Sequence, residues 1–311
     1  MTTKYFENLK LKVWQIIYAP LYGFKYWRNK KKRSSFLILN SFKTVDYIIE
    51  HKCSVSRFGD GELGMVYHYL NHGEVSDFYI QAFQQYDERL ATKLYSILQD
   101  DNNDLNYKVA IPYSIVSVNN YIGLEKVFWQ RFVVLDIDRF SKLFKSNYIY
   151  LDSCFTRFFL NHRKVNFKDY VSRLKKIWDG LNICIIEGEN SRLGVGNDLF
   201  DNAESINRIL CPAINAYSKY DEILASVKRY NVFDIYLIAL GHAATVLAYD
   251  LACMGLWAID IGHIDIEYEW FMMNAKKKVA IPDKYVNEVP EGRVLTESHD
   301  SIYISQIIDR I

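Results

Sequence analysis

In "SRFGDGELG" (56–64), Arg57, Asp60 and Glu62 are gathered around Gly59 and Gly61 directly after the apolar run "CSVSRF". Two acids one residue apart on an extended loop can turn their oxygens to one hard cation, Mg²⁺ or Mn²⁺, with a substrate phosphate completing the shell. Arg57 then serves a phosphate or one of the acids, and the glycines admit a bulky anion. The alternative is a helix N-terminus, because "ELGMVYHYL" reads as helical and acids favour that end of the dipole.

Two later loops carry comparable chemistry. "ENSRLGVGNDLFDN" (189–202) holds Ser191, Arg192, Gly194, Gly196 and Asn197, whose glycines could offer backbone N–H groups to a diphosphate. It is neither a Walker A loop nor GxGxxG, and an ordinary glycine-rich turn fits it nearly as well. "GHIDIEYEW" (262–270) carries His263, Asp265, Glu267 and Glu269, of which at most two should share a site. His263 could donate to a leaving phosphate or assist a metal, and Glu269 could be a second carboxylate or a general base.

Each of these loops follows an apolar, strand-like run. Such runs occur at 53–58, 107–112, 147–153, 182–188, 207–212, 234–241 and 257–262. Helical spacing fills 167–180, 217–230 and 242–255 between them. Strand, helix, strand in this order predicts an α/β fold: a Rossmann-like, mainly parallel sheet with helices on both faces, binding its ligand beyond the strand carboxyl ends. The segment 68–106 is read as a helical insertion or cap.

The division is an aromatic, basic N-terminal extension (1–40) and one domain (41–311). Residues 1–33 end in Lys30, Lys31, Lys32 and Arg33, and suit either an interfacial membrane contact or a helix packed on the domain or a partner subunit. A homo-oligomer is compatible with either.

With 38 Lys+Arg against 37 Asp+Glu there is no global field to draw nucleic acid. The five cysteines lack metal spacing and read as buried free thiols in a reducing cytoplasm. The apolar piece 13–24 is too short to span a bilayer and no cleavable signal is evident, so the expected location is cytoplasmic, with the membrane's inner face as the alternative.

Three motifs, "SVSRFGDGE" (54–62), the stretch 185–224 beginning "IIEGENSRLGVGNDLF", and 237–271 ending "DIGHIDIEYEWF", together resemble bacterial glycosyltransferases of the GT-D fold class. The resemblance covers roughly 40–290. It implies a nucleotide-sugar enzyme with a divalent metal, the family's DxE acids at Asp60 and Glu62, and its late His and Glu at His263 and Glu269. It further implies a role in surface glycans or adhesin O-glycans. One departure is "ALGHAAT", with His242 where the family's pattern has proline.

The expected activity is transfer of a hexose, glucose or galactose, from a UDP-sugar to a glycan or glycoprotein acceptor. A nucleotide-sugar phosphohydrolase or nucleotidyltransferase using the same acids is the alternative, followed by a non-catalytic scaffold for glycan assembly.

Overall fold

The apolar runs become strands because both of their faces are buried. In "NICIIEG", Cys184 and Ile186 join the core on one side of the sheet, while Ile183 and Ile185 join the core on the other. In "DIYLIALG", Tyr236 and Ile238 alternate in the same way with Ile235 and Leu237. A strand covered on both faces reads as a continuous apolar run, the pattern of parallel sheets packed between helices.

The computed structural model describes residues 13, 17–71, 84–100, 105–160, 162–163, 165–286, 288–293 and 298–311. In chain order the first half comprises α1 (17–28), α2 (Lys30–Arg33), β1 (Leu37–Ile38), α3 (Ser41–His51), β2 (Ser54–Arg57), α4 (Asp60–Leu70), α5 (Glu88–Gln99), β3 (Tyr107–Ile111), α6 (Gly123–Leu143) and β4 (Ile149–Asp152). The second half comprises α7 (Phe167–Lys175), β5 (Asn182–Gly188), β6 (Ser205–Cys211), α8 (Tyr220–Arg229), β7 (Ile235–Ala239), α9 (His242–Cys253), β8 (Ala258–Asp260), α10 (Ile264–Met272), α11 (Ser301–Gln306) and β9 (Ile307–Arg310).

The strands form one nine-stranded sheet in the order β1-β4-β3-β2-β8-β7-β5-β6-β9, and every strand pairing is parallel. The α/β expectation is met. The edge strands β1 and β9 had no signal in the sequence, and β1 draws Leu37–Ile38, inside the 1–40 extension, into the sheet beside Ile149–Tyr150. The expected helical insertion is seen in part: α4 runs on to Leu70 and α5 packs against it, while 72–83 and 101–104 lie outside the described residues.

Asparagine or aspartate caps open several helices. Asn40, Asp87, Asn166 and Asp300 each accept an N–H three residues on, stabilising their helix starts by about 1 kcal/mol each. Cys53, Cys154, Cys184 and Cys211 are buried free thiols, whereas Cys253 is exposed. Among the described residues no helix is long and apolar enough to cross a membrane.

Candidate functional site

Six strands deliver their C-terminal ends to one cleft of about 480 Å³. Its lining includes Gly59–Glu62 after β2, Ser153 and Arg157 after β4, and Gly188, Ser191 and Leu193 at and after β5. It also includes Pro212 and Ala213 after β6, Ala239–His242 at and after β7, and Asp260, Gly262, His263, Asp265 and Ile266 at and after β8. Glu125, Phe128 and Trp129 of α6 and Lys278, Tyr285 and Glu288 complete the walls.

The two acids of "GDGE" stand in the first turn of α4, not on an extended loop. Gly59 is the N-cap, and Glu62 Oε2 accepts its N–H at 2.8 Å, closing a capping-box contact. Glu62 therefore does structural work while its other oxygen, Oε1, lies 3.9 Å from His242 Nδ1. Asp60 lies at the cleft floor, where burial first and the charge of Glu62 second push its carboxyl above the usual range.

Arg57 is locked across the floor. Its Nε donates to Ser153 O at 2.7 Å and its Nη1 lies 3.4 Å from Asp260 Oδ1. Thr245 Oγ1 bridges the same groups, donating to Arg57 O at 2.9 Å and lying 3.3 Å from Asp260 Oδ2. Burial raises the Asp260 carboxyl to about 7, against the opposing pull of Arg57. Asp152 shapes the neighbouring turn by accepting the N–H groups of Tyr113 and Cys154 and the hydroxyl of Ser41.

A cationic wall faces Asp60. Arg157 Nη1 meets Glu288 Oε1 at 2.9 Å, and Lys278 Nζ meets the same oxygen at 3.2 Å. Burial alone would raise Glu288, but Arg157, His263 and Lys278 outweigh it and hold the carboxyl well below its usual range. Glu125 is pushed the other way, upward by burial against the pull of Lys278 and Arg157.

The glycine-rich loop is arranged differently from expectation. Gly194 N donates to Asp265 Oδ1 at 2.9 Å and Leu193 N to Glu187 Oε2 at 2.7 Å, so these N–H groups are spent inside the protein instead of being offered to a ligand. Asn197 Nδ2 donates to both Asp265 Oδ1 and Glu269 Oε1, and Arg192 Nη1 donates to Asp283 O. Ser191 lines the cleft, whereas Arg192, Gly194, Gly196 and Asn197 are not among its lining residues.

In "GHIDIEYEW" the helical spacing of α10 separates the acids. Asp265 and Glu269, one turn apart, share the buried Lys284 ammonium at 2.7 and 2.8 Å. Glu267 turns away, accepting the N–H groups of Phe159 and Leu160. His263 and Asp265 line the cleft; Glu269 does not.

Sequence reasoning thus brought Arg57, Gly59, Asp60, Gly61, Glu62, Ser191 and His263 to one place. It missed Arg157, Asp260, Glu125, Lys278 and Glu288. Arg157 had a usable signal, because "CFTRFF" follows a predicted strand as the other site loops do. Among the described residues no group of three or more His, Cys, Asp or Glu is placed to hold a metal by itself.

A family model described as "Glycosyltransferase GT-D fold" matches residues 55–289. "Glycosyltransferase GlyD" of Streptococcus pneumoniae serotype 4 (strain ATCC BAA-334 / TIGR4) is 35% identical over 276 residues, covering 86% of this chain and 32% of that protein. "Probable glycosyl transferase Gly" of Streptococcus gordonii is 34% identical over 283 residues, covering 87% and 38%. The chain thus spans about a third of the length of these curated relatives. A solved structure described as "The highly conserved domain of unknown function 1792 has a distinct glycosyltransferase fold" aligns with a TM-score of 0.82 at 33% identity, covering 92% of this chain and 99% of that one. "A New Glycosyltransferase (DUF1792) from Streptococcus sanguinis" aligns with a TM-score of 0.80 at 32% identity, covering 89% and 99%.

Proposed function

Because the chain belongs to the glycosyltransferase family with the GT-D fold, we propose that its cleft transfers a hexose, glucose or galactose, from a UDP-sugar to a hydroxyl of a bacterial surface glycan or glycoprotein O-glycan. The observation that carries this reading is the meeting of Asp60, Glu62 and Arg57 on the floor of a cleft fed by six strand ends.

Two neighbouring carboxylates, one of them pushed upward by burial and by the other's charge, suit a divalent cation that would relieve both effects. Asp60 and the outer oxygen of Glu62 would hold Mn²⁺ or Mg²⁺, with diphosphate oxygens completing the shell, a usual division of ligands for these ions. Bound there, the cation would stabilise negative charge on the departing diphosphate.

The chain's own groups do the rest. Arg57, fixed by Ser153 and Asp260, presents a positioned guanidinium to the diphosphate, and Arg157 and Lys278 add positive potential from the facing wall. Phe128 and Trp129 offer aromatic faces to a sugar ring. Glu269 is committed to Lys284 and Asn197, so the acceptor proton goes to a carboxylate that lines the cleft. Glu125, raised by burial and therefore a stronger base, is that group if the reaction inverts. The four buried thiols suit a reducing, cytoplasmic setting.

Calorimetric titration of UDP, with and without Mn²⁺, tests the reading on the wild type and on Asp60→Asn, Glu62→Gln. Metal-dependent binding that the double variant loses is expected. Absence of UDP binding by the folded wild type under either condition would overturn it.

A further inference from the structure

The helix α1 is turned with its apolar side outward. Ile17, Leu21, Phe24 and Trp27, spaced by three and four residues, form one stripe, with Ile17, Phe24 and Trp27 exposed by 63%, 55% and 65%. The Phe24 and Trp27 rings stack at 6.0 Å between centroids. The opposite side is what holds the helix to the protein. Tyr26 is buried there, its hydroxyl donating to Ser114 O at 2.7 Å, and the Arg33 guanidinium lies 3.6 Å over its ring. Arg33 also donates to Tyr26 O and Val116 O. An outward apolar stripe on a helix anchored by its other face is therefore a fixed feature of the surface.

Its charge identifies the occupant. Residues 17–37 contain six cations, Lys25, Arg28, Lys30, Lys31, Lys32 and Arg33, and no Asp or Glu, although the whole chain carries only +1. Lys25, Arg28, Lys30 and Lys31 are exposed. Among the described residues, Lys32 alone of the six cations is paired to an acid, Asp138 of α6. An apolar stripe with Trp and Phe, whose own helices carry only positive charge, matches the boundary between acyl chains and anionic headgroups. A second copy of the chain would set these cations against each other.

We propose that α1 and α2 dock this protein onto an anionic membrane surface, with Ile17, Leu21, Phe24 and Trp27 entering the headgroup boundary and Lys25, Arg28, Lys30 and Lys31 meeting acidic lipid. The docked helices run beside α6: a Cβ at Gly23 would lie 3.7 Å from Gln130 Nε2, and Lys32 pairs with Asp138 at 2.5 Å. The opening turns of α6 carry Glu125, Phe128 and Trp129 into the cleft wall, so docking fixes the cleft's position relative to the bilayer. The proposal rests on this surface alone and stands apart from the sugar-transfer reading.

Flotation of the full chain with vesicles of phosphatidylglycerol and phosphatidylcholine, against phosphatidylcholine alone, tests it. The wild type should float with the anionic vesicles, and the bound fraction should fall about tenfold in Phe24→Ser, Trp27→Ser and, separately, in Lys25→Glu, Lys31→Glu. Thermal unfolding and UDP titration of both variants should match the wild type, since none of these side chains is buried. No flotation of the wild type on anionic vesicles, or flotation that both variants retain, overturns the proposal. So does a wild-type dimer in sedimentation equilibrium that Phe24→Ser, Trp27→Ser dissolves without any vesicle binding.

Discussion

A Cβ added to Gly262 would lie 2.0 Å from Arg57 Nη1. The glycine after β8 thus leaves the space that the guanidinium from β2 occupies, and its backbone, at φ +46°, is one that side-chain-bearing residues rarely adopt. Gly262→Ala should cost roughly 1–2 kcal/mol through the backbone alone. The clash itself falls on the end of a flexible side chain, so its cost appears as a displaced Arg57. UDP affinity should drop by about tenfold or more, the worth of a charge-assisted hydrogen bond. Adding Arg57→Ala should lower it little further, and a double-mutant cycle that finds full additivity would refute the coupling.

Asp260 gives the same floor a pH dependence. Burial raises its carboxyl from 3.8 to about 7, so ionisation is penalised in the folded protein. Its contribution to stability is complete below the unfolded value of 3.8 and is lost as pH rises through about 7. Protonation also frees the Arg57 charge from its partner for an incoming diphosphate. UDP-glucose affinity should therefore rise as pH falls from 8 to 6, by at most about tenfold per pH unit. Asp260→Asn should flatten this dependence, and a variant profile parallel to the wild type would assign it elsewhere.

Glu125 and Glu269 make opposite predictions for the proton transfer. Glu269→Gln keeps an oxygen for Lys284 and Asn197, so the transfer rate should change by less than about tenfold. Glu125→Gln should reduce it by roughly 10²–10⁴, the usual worth of a general base, with UDP binding retained. Single-turnover rates on a common acceptor decide between them; the reverse order of effects would return the base to Glu269.

The elements that the sequence revealed were those with both faces buried or one strong apolar stripe. β5 runs over Asn182–Gly188, the boundaries that the sequence predicts, because its apolar run Ile183–Ile186 is unbroken and its one acid, Glu187, comes only at the end. The edge strand β1 has two residues, one of them half exposed, and leaves no pattern to read. The helix α6 buries Trp129, Phe132, Val133, Ile137 and Phe140 at helical spacing, but Asp136 stands in the same stripe, buried against Arg139, and breaks it. At the site, the DxE acids were legible because they are local. Arg157 and Lys278 meet only through Glu288, 131 and 10 residues away, and Lys278 ends a run of three lysines that reads as a solvated surface. The glycines of 194–196 were visible, yet their purpose depends on Phe200 and Asp265, which only the fold brings to them.

That purpose is testable by comparing two alanine substitutions. Gly194 and Gly196 have nearly the same backbone, φ +74° and +76°, so each should lose roughly 1–2 kcal/mol to left-handed strain. At Gly196 a Cβ would meet nothing within 4 Å. At Gly194 it would lie 2.5 Å from Phe200 Cδ2, part of a buried ring packed 5.0 Å from Trp178. An aromatic ring in a filled core has nowhere to go, so overpacking should add about 1–3 kcal/mol. Denaturant unfolding should therefore separate the two variants, with Gly194→Ala the weaker. The same displacement would pull Gly194 N from Asp265 and loosen Ser191 and Leu193 at the cleft, so UDP affinity should fall in Gly194→Ala and hold in Gly196→Ala. Equal losses of stability and affinity in the two variants would mean that the loop is an ordinary flexible turn.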